Sequence, residues 1–340
     1  MMTAYGLRDG RLARLVAPAA GDALWLDLFD PSSEEEQSVE RLLGLQVPTR
    51  QEMAEIEDSA RLYQEGDALV ATAVVITGVA EGRPTRAPVT FVLTPTHLVS
   101  VRYADPVPFR TFEAKCQRQP GAYTSGDRIF VSLVEGIVER AADVLELVQA
   151  DLNDISLRLF FRDADGAEET ASGPGERPKA RRHARRRADE ADLQSTLERL
   201  GRRNLTVSIL RESLLSLTRL VPYVRAGAGG WLSEGVPARL KQLDRDLRSL
   251  TAYEGQLSSE IVYLHDATLG LINLDQNRII KVFSIAAVLF LPPTLVGTVY
   301  GMNFEAMPEL KWAFGYPFAL GCMVLSAVLP YWWFKRRGWL

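Results

Sequence analysis

Apolar side chains recur in steps of three and four along the last third of the chain, at Leu240, Leu243, Leu247, Leu250, Leu257, Ile261, Leu264 and Leu271. Glu254 and Thr268 alone interrupt the series. A heptad stripe of this kind predicts a helix with one face packed on neighbours. No proline falls between Pro237 and Pro292, so a single helix is expected from about Pro237 to Tyr300, long for a compact globular domain. Another face of that helix differs in character. Steps of seven from Ser259 give Asp266, Asn273, Ile280, Ala287, Thr294 and Gly301, and a companion row gives Gln256, Tyr263, Gly270, Asn277, Ser284, Leu291 and Thr298. Apart from Tyr263, Ile280 and Leu291, these rows stay small or polar even where Val, Leu, Ile and Phe surround them.

Upstream the period shortens. Strand-like runs occur at RLARLV, ALWLDLF, DALVATAVVITGV, APVTFVLT and HLVSVRY, the last two joined at Pro95-Thr96 by a hairpin-like signal. Helices are expected at Ser32–Leu45, Thr49–Glu57, about 107–118, roughly Asp127 to Phe161, and about Glu190–Arg225. Residues 162–189 are polar and rich in Gly, Pro and charge, and read as a mobile tip between two helices.

Hydropathy changes the picture near the C-terminus. No charged residue lies between Lys281 and Glu305, or from Trp312 to Phe334. Each interval is about 23 residues, enough to cross a hydrocarbon core. Tyr300, Trp312, Tyr331, Trp332 and Trp333 sit near the ends, as interfacial aromatics do. Arg278 and Lys281 precede the first span and Lys335, Arg336 and Arg337 follow the second. By the positive-inside rule both termini are cytoplasmic and the EAMPELK loop faces out. The N-terminus lacks an apolar signal-peptide core.

Within such a helix the small and polar rows have two readings. Small residues let spans pack closely; hydroxyls and small groups also suit a pore wall. One span cannot enclose a pore, so the second reading requires several copies around an axis. Pro292 and Pro293, in mid-span, remove backbone donors and free carbonyls one turn upstream, tolerable against neighbouring helices or a wet lumen.

Charge is segregated. The chain totals −4, yet from Val282 onward two acids stand against four bases, making that part +2 and leaving −6 for residues 1–281. Residues 177–187 hold seven Arg/Lys and no acid, an insert of opposite sign in an acidic body; such a run binds anionic lipid or nucleic acid, or is simply solvated. The two cysteines and three histidines are scattered, so no disulfide framework or zinc cluster is implied. Phosphate-loop, nucleophile-triad and HExxH patterns do not occur, and no enzyme site is expected.

The stretch YGMNFEAMPELKWAFGYP resembles the signature of the CorA family of magnesium transporters, with Gly-Met-Asn at the end of the first span, an MPEL-type loop, a second span and a short basic tail, here KRRGWL. EMAEIEDSARLY, residues 52–63, is similar to the family's motif before the cytoplasmic sheet. The resemblance implies a homopentamer with the first span lining the pore below a funnel-shaped cytoplasmic domain, Gly301, Met302 and Asn303 as an outer ion-binding ring, and Asn277, Ile280, Leu291 and Thr294 as pore positions. Asp266 matches an acidic position of the family's funnel helix.

Mg²⁺ prefers six oxygen ligands and gives up water reluctantly. Five Asn303 side chains around an axis offer carbonyl oxygens to coordinated waters with no net charge, where a carboxylate ring risks trapping the ion. Glu305 and Glu309 either concentrate cations at the mouth or are ordinary solvated charges, heavily screened at physiological salt. Ile280 and Leu291 suit apolar constrictions that close by dewetting.

The expected architecture is an α+β membrane protein: a cytoplasmic α/β sheet domain (1–120), long antiparallel helices (121–236) with the tip at 162–189, a stalk helix (237–304) continuous with a first span at about 282–303, an outer loop (305–311), a second span (312–334) and a basic tail (335–340). The expected function is passage of hydrated Mg²⁺ through a bacterial-type inner membrane, with Mg²⁺ as transported and regulatory ion, no bound cofactor, and lipids and further copies of the chain, not nucleic acid, as partners. The pore-lining set is Asn273, Asn277, Ile280, Ser284, Ala287, Leu291, Thr294 and Thr298. The alternatives are a Zn²⁺, Co²⁺ or Ni²⁺ carrier of the same family, disfavoured by scarce His and Cys, and a membrane-anchored coiled-coil adaptor.

Overall fold

The structure, a computed structural model, describes residues 1–15, 22–55, 57–161, 178–302, 312 and 314–337. The chain divides into two units, Met1–His265 and Asp266–Leu340.

The first unit is built on a seven-stranded sheet ordered β2-β1-β3-β7-β6-β5-β4, with β1 (Met2–Arg8), β2 (Arg11–Arg14), β3 (Trp25–Phe29), β4 (Leu62–Glu65), β5 (Ala68–Thr77), β6 (Thr85–Leu93) and β7 (Leu98–Arg102). β3 and β7 pair in parallel and the remaining neighbours antiparallel. A parallel pair needs a crossover, and the chain between β3 and β7 supplies it with α1 (Ser33–Leu43), α2 (Arg50–Ala54), α3 (Asp58–Arg61) and the β4–β5–β6 meander. Helices α1 and α2 both start from capping boxes, Ser32 with Glu35 and Thr49 with Glu52, which satisfy N–H groups that the first turn leaves unpaired.

Strands β5 and β7 and the second half of β6 are buried on both faces, so their apolar runs do not alternate. The β6–β7 hairpin turns at Thr94–His97, where the Thr94 N–H donates to the His97 carbonyl at 3.0 Å. The first and fourth strands were not among the expected runs. Thr3 and Gly6 interrupt the apolar residues of β1, and β4 has only four residues directly after a helical turn.

After the sheet come α4 (Val107–Arg118), α5 (Gly126–Phe160), α6 (Pro178–Gly227) and α7 (Val236–Tyr300). Gly126 lets α5 start hard against the β6–β7 hairpin, because a Cβ there would lie 2.8 Å from His97 C and Leu98 N. Ser216 of α6 accepts the Val74 N–H at 3.0 Å, covering a position of β5 that β4 is too short to pair, one way a sheet edge is protected.

Helix α6 begins at Pro178, not near Glu190, so residues 178–189 are helical where a loop was expected. Ala, Arg and Lys are strong helix formers and proline suits a first helical position; polarity alone does not distinguish a solvated helix from a loop. The rest of the expected tip, 162–177, lies outside the described residues.

The heptad stripe of α7 forms the seam of the helical layer. Leu240, Leu243, Leu247, Leu257, Ile261 and Leu264 are all buried, as is Glu254 at 3 % exposure. Arg211 of α6 holds that carboxylate at 2.9 Å, and the Ser258 hydroxyl donates to it at 2.9 Å. The interruption in the stripe is a buried charge with its partners in place. Between α5 and α6, Asp151 accepts from Arg199 at 2.5 Å and Arg203 at 2.6 Å, and Asp154 from Arg199 at 2.8 Å.

The second unit holds the end of α7 and α8 (Gly315–Arg336). Both helices contain stretches long and apolar enough to cross a membrane.

Candidate functional site

Two faces of α7 separate in the second unit. Ile285, Ala286, Leu289, Pro292, Pro293, Val296, Gly297 and Tyr300 are half-buried and follow the spacing of one helix side. Gly297 lies close against α8: a Cβ there would sit 3.2 Å from Met323 Cε. Close helix packing, one of the two readings of small residues in this span, accounts for this side.

Asn273, Asn277, Ile280, Ser284, Ala287, Leu291, Thr294, Thr298, Gly301 and Met302 are all exposed in the single chain. Ile280 and Leu291, at 61 % and 67 % exposure, are large apolar groups with no cover from the chain itself. Asp266 is exposed on the same row, one heptad before Asn273. The expected pore set therefore lies on a face that the second span does not occupy.

The hydroxyls on this face have a defined polarity. Thr294 Oγ1 donates to the Phe290 carbonyl at 2.7 Å, and Thr298 Oγ1 donates to the Thr294 carbonyl at 2.8 Å. With the proton turned back into the helix, each oxygen presents only lone pairs outward. Such an oxygen accepts from a water whose hydrogens point away from a cation, and it gives no donor to an anion. Ala287, Leu291, Thr294 and Thr298 border a shallow groove of about 430 Å³ together with Phe290 and Leu295. Those last two were absent from the sequence-derived set. They are bulky and apolar, and only their three- and four-residue spacing from Ala287, Leu291 and Thr294 points to them.

Pro292 and Pro293 lie inside the helix. By the i to i−4 pattern they leave the carbonyls of Val288 and Leu289 without helical donors, adding acceptors to the middle of the span. At its C-terminal end the helix tightens: the Gly301 N–H donates to both Gly297 and Thr298 carbonyls, at 3.0 and 3.2 Å, and the Met302 N–H to Val299 at 3.3 Å. Asn303, Glu305 and Glu309 lie outside the described residues. At the other end of α8, Arg336 stacks over Trp332 at 4.7 Å and Arg337 over Trp333 at 5.2 Å, a pairing of cation and aromatic that suits a membrane interface.

A polar cluster of the first unit, around Asp27, Ser100 and Arg102, is buried. Arg102 reaches Asp27 at 2.9 Å and Asp105 at 2.7 Å, between the rings of Phe29 and Phe109 at 4.4 and 4.9 Å. Ser100 Oγ donates to Asp27 at 2.7 Å and receives the Trp25 indole N–H at 2.9 Å. Burial pulls the Arg102 guanidinium down, but the hydrogen bond and charge of Asp27 outweigh it and hold it above its ordinary value. Among the described residues no three His, Cys, Asp or Glu side chains gather as a metal cluster.

Comparison with known proteins agrees with this layout. The family model described as CorA-like Mg²⁺ transporter protein matches residues 20–171 and 179–336. The chain is 34 % identical over 345 residues to the magnesium transport protein CorA of Sodalis glossinidius (strain morsitans), covering all of both chains. It is 33 % identical over 344 residues to that of Escherichia coli (strain K12), again covering all of both. Among solved structures, the complete CorA magnesium transporter from Methanocaldococcus jannaschii superposes with a TM-score of 0.74 at 15 % identity, over 100 % of this chain and 99 % of that one. The full-length CmaX protein gives a TM-score of 0.62 at 14 % identity, over 99 % and 97 %; at these identities the likeness speaks for the fold. On the family model and the full-length relatives, the chain belongs to the CorA-like Mg²⁺ transporter family.

Proposed function

We propose that the chain moves hydrated Mg²⁺ across a bacterial inner membrane, down its electrochemical gradient, through a path lined by the small and polar face of α7 in a homopentamer. The observation that carries this reading is the exposed row from Asn273 to Met302, with the Thr294 and Thr298 hydroxyl protons turned into the helix. A hydrated dication presents outward-pointing water hydrogens, and a wall of oxygen lone pairs receives them without stripping the shell. Ile280 and Leu291 form apolar rings that close the path by dewetting. Gly301, Met302 and Asn303 form the outer filter, with Glu305 and Glu309 raising local cation concentration at the mouth. Both termini are cytoplasmic, following the basic flanks at Arg278, Lys281 and Lys335–Arg337. The chain carries ions and performs no covalent step.

The acidic cytoplasmic body supplies feedback: internal Mg²⁺ bridges carboxylates of neighbouring protomers, Asp266 among them, and holds the path shut. A neutral filter with scarce His and Cys favours Mg²⁺ over ions selected by direct soft ligation.

Proteoliposomes containing an Mg²⁺-sensitive dye test both parts. Asn303→Ala is expected to abolish most Mg²⁺ influx or its selectivity; flux and selectivity equal to the unaltered chain contradict the filter assignment and favour a membrane-anchored adaptor. With Mg²⁺ preloaded on the cytoplasmic side, Asp266→Ala is expected to stay conductive where the unaltered chain closes; closure at the same Mg²⁺ level removes Asp266 from the feedback.

A further inference from the structure

The first unit holds a cavity that the transport reading leaves unused. Strand register builds its floor. Arg14 of the edge strand β2 pairs with Tyr5 of β1, and Tyr5 pairs with Trp25 of β3. These three side chains therefore share one face of the sheet with Leu12, two residues before Arg14. Tyr5 stacks on Trp25 with ring centroids 4.5 Å apart. Helix α4 crosses the same face, and its Phe109 and Phe112 pack on the Trp25 ring at 6.4 and 5.3 Å. One turn after Phe112 the helix presents Cys116, too small to reach the sheet edge. The space over β3 is filled, and a gap of about 400 Å³ stays open beside β1 and β2.

The gap is graded in polarity. Of its lining, Trp25, Phe112 and Cys116 are buried and Tyr5 and Leu12 half-buried. Arg11, Arg14, Glu113 and Gln117 are exposed and form its mouth. Concave apolar space with a few convergent polar groups is the usual form of a small-molecule site. Two guanidinium groups stand there against one carboxylate. The neutral groups are donors as well. Burial first, then the charges of Glu113 and Asp27, push the Tyr5 phenol up to about 12. Burial and Glu113 push the Cys116 thiol up to about 12, so both keep their protons at neutral pH.

From an aromatic interior behind a donor-rich mouth of net positive charge, we propose that this cavity binds a small aromatic monocarboxylate, rings inward and carboxylate at Arg14. A guanidinium meets a carboxylate with two parallel N–H donors. Glu113 at the same mouth repels a second negative charge, which selects a monoanion over a phosphate dianion. The arginines repel a cation, and a wholly apolar ligand gains nothing from them. The site stands whether or not the chain conducts ions.

The test uses the full chain in phosphatidylcholine nanodiscs, with 6-fluoro-2-naphthoate as the probe and its fluorine NMR line width as the readout. Empty discs give the lipid background. Saturable broadening above that background is expected, and the neutral amide of the same ring system is expected to bind about ten-fold more weakly. Arg14→Gln is expected to weaken the carboxylate by a similar factor, and Glu113→Gln to tighten it. A general loss of folding cannot produce those opposite shifts. Leu12→Trp, which fills the gap, is expected to remove the broadening at an unchanged melting temperature. Broadening no greater than in empty discs overturns the proposal. So does equal binding of carboxylate and amide, which makes the gap an apolar hollow only, or an affinity that Arg14→Gln leaves unchanged.

Discussion

Asp27 and Arg102 are 75 positions apart in the chain yet form the best-connected ion pair of the described residues. The parallel register of β3 on β7 sets Asp27 beside Ser100 and Phe29 beside Arg102, and the guanidinium closes the gap between them. Both strands were legible as apolar runs, but nothing in WLDLF or LVSVR says that the acid of one needs the base of the other. Pairing was hidden because it depends on a crossover of more than 60 residues, about five times the length of an ordinary βαβ connection. Arg102→Ala leaves the buried Asp27 carboxylate without its cation, and a loss of about 3–5 kcal/mol is expected. Thermal melting of the detergent-solubilised protein reads it directly; a melting temperature equal to that of the unaltered chain contradicts the account. Arg102→Lys is not a rescue, because a point ammonium cannot bridge Asp27 and Asp105 while stacking between two rings.

The helices show both the reach of periodicity and its limit. A stripe repeated over many turns made α7 legible nearly to its ends, because each further heptad is an independent observation of the same face. The reason for Glu254 was not legible, since Arg211 belongs to another helix. The start of α6 was misread because a basic, proline-containing segment satisfies loop and helix rules alike. What joins α5 to α6 is Asp151: burial pushes its carboxyl up, but the hydrogen bonds from Arg203 and Arg199 outweigh this and hold it below the ordinary carboxylate range. Asp154 is likewise lowered, first by Arg199. The sign follows from linkage. A folded-state pKa below the unfolded one stabilises above the ordinary carboxylate value, about 3.9, and the stabilisation is lost as pH falls through the folded value. Melting temperature is therefore expected to hold above about pH 5 and fall below about pH 4, and Asp151→Asn is expected to lower the plateau and flatten that acid limb. An acid limb of unchanged steepness in Asp151→Asn removes this pair from the interhelical contact.

At the scale of the molecule, one chain leaves uncovered a row from Asn273 to Met302 that runs through the apolar part of α7. Most of that row was legible, since a face that stays small and polar among Val, Leu, Ile and Phe departs from what lipid contact selects. The side facing α8 was less so, because Gly297 and Ala286 are as small as the residues of the open face, and only coordinates tell which small residue meets a neighbour. The ion path proposed above runs along this open face. The most direct measurement is thiol block of Mg²⁺ flux in proteoliposomes, with single cysteines placed in a Cys322→Ala background. Thr294→Cys and Leu291→Cys, on the open face, are expected to lose flux rapidly on adding a water-soluble methanethiosulfonate, and external Mg²⁺ is expected to slow the reaction. Val296→Cys, on the half-buried side, is expected to keep its flux. Block at Val296→Cys with full flux retained at Thr294→Cys and Leu291→Cys contradicts the account.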